Sequence, residues 1–104
     1  MQLLKSDIYN RLIITEDTEL LATAKSTITV LPPAKFILSG ILEKNLNIEA
    51  GATTIIHGEV WGNVFNNGGT LEVFGVIKGE LYRGKGSKNM IDFDSQICGK
   101  IFKG

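Results

Sequence analysis

Read for alternation, the chain contains five segments in which every second residue keeps its character. They are LLATAKSTITV, LSGILEKNLNI, IHGEVWGNVFN, VFGVIKGELYR and FDSQICGKIFK, offset by 18, 18, 17 and 20 residues. One column of this alignment holds Leu20, Leu38, Ile56, Val73 and Phe93. A second holds Ala24, Leu42, Val60, Ile77 and Ile97, and a third Ile28, Leu46, Val64, Leu81 and Ile101. All three are wholly apolar. Between them run Ala22, Gly40, Gly58, Gly75 and Ser95, which are small throughout, and Ser26, Lys44, Gly62, Gly79 and Gly99. An earlier column of Phe36, Thr54, Leu71 and Ile91 extends the agreement in four of the five segments.

A period of two in residues rich in Val, Ile, Leu and Thr predicts strands that bury one face. A repeat of 17 to 20 residues is too long for hairpins with two-residue turns and too short for a strand plus a crossover helix. It fits one coil of a parallel β-solenoid, in which successive coils stack about 4.8 Å apart and equivalent residues form ladders. The expected fold is therefore all-β: a single-domain parallel β-helix of about five coils, right-handed by the general rule for parallel crossovers. Residues 18–104 form the solenoid. Residues 1–17, in which Leu12 aligns with Val30 and Ile48, are expected to make an N-terminal partial coil that covers that end.

The small columns mark sharp bends or crowded interior positions, where a Cβ is costly. Lys44 interrupts one of them, which places that column at a corner with an outlet to solvent. Pro32 and Pro33 cannot continue a central strand and predict another corner. Asn66 to Gly69 and Arg83 to Asn89 are turns by composition, and the second of these is expected to absorb the longer final step.

Length then bounds the unit: 104 residues make about one domain. Eleven basic and eleven acidic residues cancel, so no global field favours nucleic acid or anionic lipid, and any partner is recognised locally. The apolar runs are short, and no charged-then-apolar leader opens the chain, so neither a membrane span nor a signal peptide is expected. The single cysteine, Cys98, forms no internal disulfide and suits a reducing compartment, with the cytoplasm the default.

Candidate chemistry is sparse. GELYRGKG, residues 79–86, has the glycine spacing and lysine of a phosphate-binding loop, but Gly86 stands where Ser or Thr is required and no helix is indicated after it. It reads as a basic loop in which Arg83, Lys85 and Lys88 form a solvated charge run. His57 is the only histidine and has no second ligand or nucleophile beside it, which leaves it a surface residue. Asp92 and Asp94 lie two apart on one strand face and repel rather than span a cleft. Cys98 falls on the outward alternation, so either the parity slips in the last coil or the thiol is covered. No catalytic residue, cofactor or metal is expected, and the chain is read as a nonenzyme.

The aromatic residues carry more information. On the same alternation Phe65, Tyr82 and Phe102 form an external ladder, with Trp61 beside Lys78 and Phe74 beside His57. The alternative turns Phe65 and its equivalents back at a corner into the core. Exposed rings forgo about 1.5–3 kcal/mol of burial each, and contiguous apolar patches mark interaction sites. A second candidate surface is the last coil. Only Lys103 and Gly104 follow CGKIF, so its backbone edge, with Phe93, Ile97 and Ile101, is expected to face solvent, and open edges of that kind pair with other chains.

The central region, about residues 53–82 with GEVWGNV and GVIKGEL, resembles the bactofilins, bacterial cytoskeletal proteins whose repeats read Gly-x-Val-x-Gly-x-Ile. The resemblance extends with decreasing clarity over the last two thirds of the chain. It implies a right-handed parallel β-helix with a triangular apolar interior that polymerises end to end without nucleotide. The Ala-rich coil at residues 20–30, Lys44 and the long final step depart from that pattern. The expected function is a self-associating structural scaffold with itself as partner. The alternative is a small binding protein, such as an immunity or inhibitor protein, that presents Trp61, Phe65, Tyr82 and Phe102 to one protein partner. A carbohydrate-active β-helix lacks the necessary row of carboxylates.

Overall fold

The computed structural model describes residues 1–104 as a parallel β-solenoid of about six turns, without a helix. The first turn carries β1 (Gln2–Leu4), a bridge from Ile8 to Ala24, and β2 (Leu12–Ile14). The second carries β3 (Thr18–Leu20), β4 (Thr23–Ala24) and β5 (Ile28–Val30), and the third β6 (Lys35–Leu38), β7 (Ile41–Leu42) and β8 (Leu46–Glu49). β9 (Thr53–Ile56), β10 (Glu59–Val60) and β11 (Val64–Asn67) make the fourth, and β12 (Thr70–Val73), β13 (Val76–Ile77) and β14 (Leu81–Arg83) the fifth. The sixth is β15 (Lys88–Ile91), β16 (Gln96–Ile97) and β17 (Ile101–Lys103). These strands form three parallel sheets, ordered β1-β3-β6-β9-β12-β15, β4-β7-β10-β13-β16 and β2-β5-β8-β11-β14-β17.

The register places like on like. Ala24, Leu42, Val60, Ile77 and Ile97 pair in one row, as do Ile28, Leu46, Val64, Leu81 and Ile101. The first four members of each row are fully buried, and with Phe36, Leu38, Ile56 and Leu71 they fill the interior between the sheets. Burial contributes about 1.5–3 kcal/mol for each large aliphatic side chain, which here must hold together strands of only two to four residues.

The corner between the first and second sheets explains the small column. The third, fourth and fifth coils there each direct two successive amides to a single carbonyl of the coil below: Ser39 and Gly40 donate to Leu20 O, His57 and Gly58 to Leu38 O at 2.9 Å each, and Phe74 and Gly75 to Ile56 O at 2.8 and 3.0 Å. Converging on one acceptor draws the coils together, and a Cβ on Gly58 would lie on the carbonyl oxygen of Gly40. The next corner is held by side chains. Asn45 Oδ1 accepts the Asn63 amide and Asn63 Oδ1 the Glu80 amide, both at 2.9 Å. Lys44 lies at this corner and is exposed.

Three alignments are corrected by the register. Val73 pairs with Ile91, not Phe93. Ile91 is thereby moved out of the earlier column, where Asn89 pairs with Leu71. The additional residues of the last coil fall largely at the 92–95 corner, because 18 residues separate Thr70 from Lys88 but 20 separate Val76 from Gln96. Phe93 sits in the resulting turn, 98% exposed. There Ser95 donates its amide and hydroxyl to Asp92 O, and Asp94 its amide to Asp92 Oδ2. Asp92 and Asp94 therefore shape a turn and do not share a strand face. At the other end Ile14, rather than Leu12, pairs with Val30, and residues 1–17 contribute strands to two sheets as a further turn.

One interior atom is out of place. Thr54 Oγ1 is buried without a hydrogen-bond partner, in the row between Phe36 and Leu71. An unpaired buried hydroxyl costs about 1–3 kcal/mol. Thr54→Val, which preserves the branched shape, is expected to stabilise the protein by about 1 kcal/mol, seen as a higher midpoint in urea at unchanged slope.

Candidate interaction surface

Two residues of opposite parity share each short strand of the third sheet, one facing in and the next facing out. Val64, Leu81 and Ile101 face inward, so Phe65, Tyr82 and Phe102 point outward one position later, in register with each other. Coil spacing then sets their separation. Phe65 and Tyr82 stack with centroids 4.7 Å apart and planes at 8°, and Tyr82 and Phe102 at 4.8 Å and 10°. The rings cover each other's faces and do not return to the core. Tyr82 is covered on both faces, Phe65 meets Asn47 in the coil below, and Phe102, with no coil beyond it, is 39% exposed.

Tyr82 also donates its hydroxyl to Glu80 Oε1 at 2.7 Å. The Glu80 carboxylate, as hydrogen-bond acceptor first, then desolvation and the carboxylate's charge, raises Tyr82 above the ordinary phenol value of 10.0. A raised folded-state value means that the interaction favours the fold in full below pH 10.0 and is lost as pH climbs through the shifted value. Glu80→Gln is expected to lower the Tyr82 midpoint toward 10.0, measured by tyrosinate absorbance in a Tyr9→Phe background.

The other aromatic residues are placed at the corners flanking the second sheet. Phe74 stacks on His57 with centroids 5.2 Å apart and planes at 16°. Lys78 Nζ lies 4.6 Å from the Trp61 ring centroid, while Glu59 accepts the indole N–H at 3.0 Å and lies 3.8 Å from Lys78. Phe74 and His57 lie at the corner between the first and second sheets, and Trp61 and Lys78 at the corner between the second and third, so the outward aromatic residues fall into one ladder and two separate pairs. His57 is partnered by a ring rather than by potential metal ligands. Cys98 is exposed on the outward parity.

The last coil forms a third surface. β15, β16 and β17 each pair on one side only. Their inward residues are correspondingly open: Ile91 is 38% and Ile101 44% exposed, with Ile97 partly buried between them. Phe93 stands apart at the corner turn. At the opposite end Leu4, Ile8 and Leu12 pack against the core from the first coil, and β1 and β2 likewise pair on one side.

Some residues of potential importance were not singled out by alternation. Two positions beyond the last apolar column, the inward row runs Ile14, Val30, Ile48, Asn66, Arg83 and Lys103. Its change from aliphatic to amide to cation is visible in the final residues of the five aligned segments. Asn66 is fully buried. It accepts the Gly69 amide and donates to Lys88 O and Asn89 Oδ1.

No helix is long and apolar enough to cross a membrane. Comparison with family models, curated proteins and solved structures returns no significant match, so the architecture and these surfaces are the basis for a functional reading.

Proposed function

We propose that this chain is a noncatalytic, self-associating scaffold, bactofilin-like in organisation, whose copies stack coil on coil. The observation that carries this reading is the agreement between the two ends. Continuing the existing register by one coil would place Leu4 of a second copy over Ile91, Ile8 over Ile97 and Leu12 over Ile101, extending three apolar rows. On the outer face it would set Leu3 over Met90 and Ile13 over Phe102, all exposed by 39–54%. The backbone edges would complete the same parallel ladders that join the coils within the chain. Such a contact needs no nucleotide or metal, because it uses the interactions that already form the solenoid.

Sedimentation velocity over a concentration series tests the reading. The wild-type chain is expected to grow in mass with concentration. Ile101→Lys, which puts a charge into the open apolar layer, is expected to weaken association by about tenfold or more while retaining the wild-type circular dichroism. A wild-type chain that remains a strict monomer at high concentration overturns the scaffold.

A further inference from the structure

The corner that follows β14 holds a cavity of about 210 Å³ whose lining contains no hydrophobic residue. Arg83, Lys85 and Lys103 contribute its cationic groups, and Gly86, Ser87 and Asn89 much of the remainder. No carboxylate side chain lines it, and neither ion pair of the protein involves its cations. The excess of charge follows from the fold. Arg83 and Lys103 are in register on adjacent strands, so two inward-parity cations are stacked one strand spacing, about 4.8 Å, apart. Their neighbour in that row is Asn66, a neutral amide whose donors are already used.

Two kinds of donor beside these charges have no acceptor within the protein, one buried and one open to solvent. Arg83 Nε is buried without an acceptor, although a guanidinium N–H removed from water requires one. The Lys85 and Gly86 amides also make no hydrogen bond within the protein. Their turn ends at Gly86 with φ +81°, and turns that enter the left-handed region present successive amides in the concave arrangement that binds anions. The turn is anchored from below: Asn66 donates to Asn89 Oδ1, and Asn89 donates to Ser87 Oγ, both at 2.9 Å.

The geometry points to a phosphate-binding site at this corner, with Arg83 and Lys103 supplying charge and the 84–87 turn supplying backbone donors. Its volume suits a phosphate group rather than a whole nucleotide. A smaller cavity of about 120 Å³ adjoins it, shares Arg83, Gly84, Lys103 and Gly104, and is lined beyond them by Asn67, Tyr82 and Phe102. The ligand class is a phosphate dianion or a monoester whose organic portion lies along those rings. Of the stretch 79–86 that partly resembles a phosphate-binding loop, only Arg83–Gly86 line this cavity; Gly79 lies at the preceding corner against Gly62, Leu81–Arg83 form β14, and the chain returns as strand β15 rather than helix.

The test is a titration of the ¹⁵N-labelled protein with inorganic phosphate and with phenyl phosphate, against sodium chloride at matched ionic strength. Saturable shifts centred on Lys85, Gly86 and Ser87 are expected with phosphate. Arg83→Gln and Lys103→Gln should each weaken binding about tenfold, as loss of a charge-assisted hydrogen bond does, whereas Lys100→Gln, outside the cavity, should not. Tighter binding of phenyl phosphate identifies an ester ligand, and equal binding identifies phosphate itself. Lys103 is an exposed side chain, so its variant keeps the test intact if Arg83→Gln impairs folding. Responses no different from chloride, or equal losses in all three variants, overturn the site. Lys103 ends the row that begins with Ile14, so in the proposed stacking it lies under Ile14 of a second copy; sedimentation of the Lys103→Gln and Arg83→Gln variants beside the titration distinguishes loss of phosphate binding from loss of self-association.

Discussion

The structure depends on hydrogen bonding between each coil and the one beneath it. Parallel ladders fix the height of every strand and also decide which side chain lies over which. A residue buried in one coil is therefore surrounded mainly by its counterparts above and below, as Leu42 is by Ala24 and Val60. The core is a set of rows rather than a knot of distant segments, consistent with the nearest-neighbour energetics of solenoids. At the first corner the same bonding is most demanding. Two amides converge on one carbonyl there, leaving space for glycine but not for a larger residue at Gly58 and Gly75.

That constraint explains how much was legible in the sequence. Alternation reported which residues face inward, and the rows through Leu42 and Val64 followed because coils two to four keep nearly constant length. It was blind to displacement by two residues, since such a shift preserves parity. Phe93 and Ile91 are equally good candidates on alternation alone, and only the hydrogen-bonded register separates them. The exchange of Leu12 for Ile14 has the same origin. The first turn was read as incomplete because it pairs with a shorter offset, 16 residues from Gln2 to Thr18, and Lys5 and Ser6 stand near the corner where later coils use glycine.

The aromatic ladder was legible because an outward row needs only correct register, and its rings stack wherever the coils do. The polar end of the interior was harder to see. Asn66, Arg83 and Lys103 occupy positions where Ile14, Val30 and Ile48 are aliphatic, and a hydrophobic pattern takes such residues as the end of a strand. Once the ladder is known, they become informative: a buried amide is satisfied by its neighbours, while the guanidinium above it retains an unpaired donor. The third sheet thus carries the ring stack on its outer surface and an electropositive recess at the corner where its strands end.

The turn at residues 92–95 has an architectural consequence. Its additional residues leave the prism at a vertex, fold over a local Asp92–Ser95 hydrogen bond, and return in time for Gln96 and Ile97 to pair with Val76 and Ile77. Lengthening a coil at this vertex therefore need not disturb the rows inside it, and the entropic penalty of a longer excursion rises only slowly with its size. The vertex is a natural port for inserted segments, through which a rod of fixed cross-section can acquire side branches.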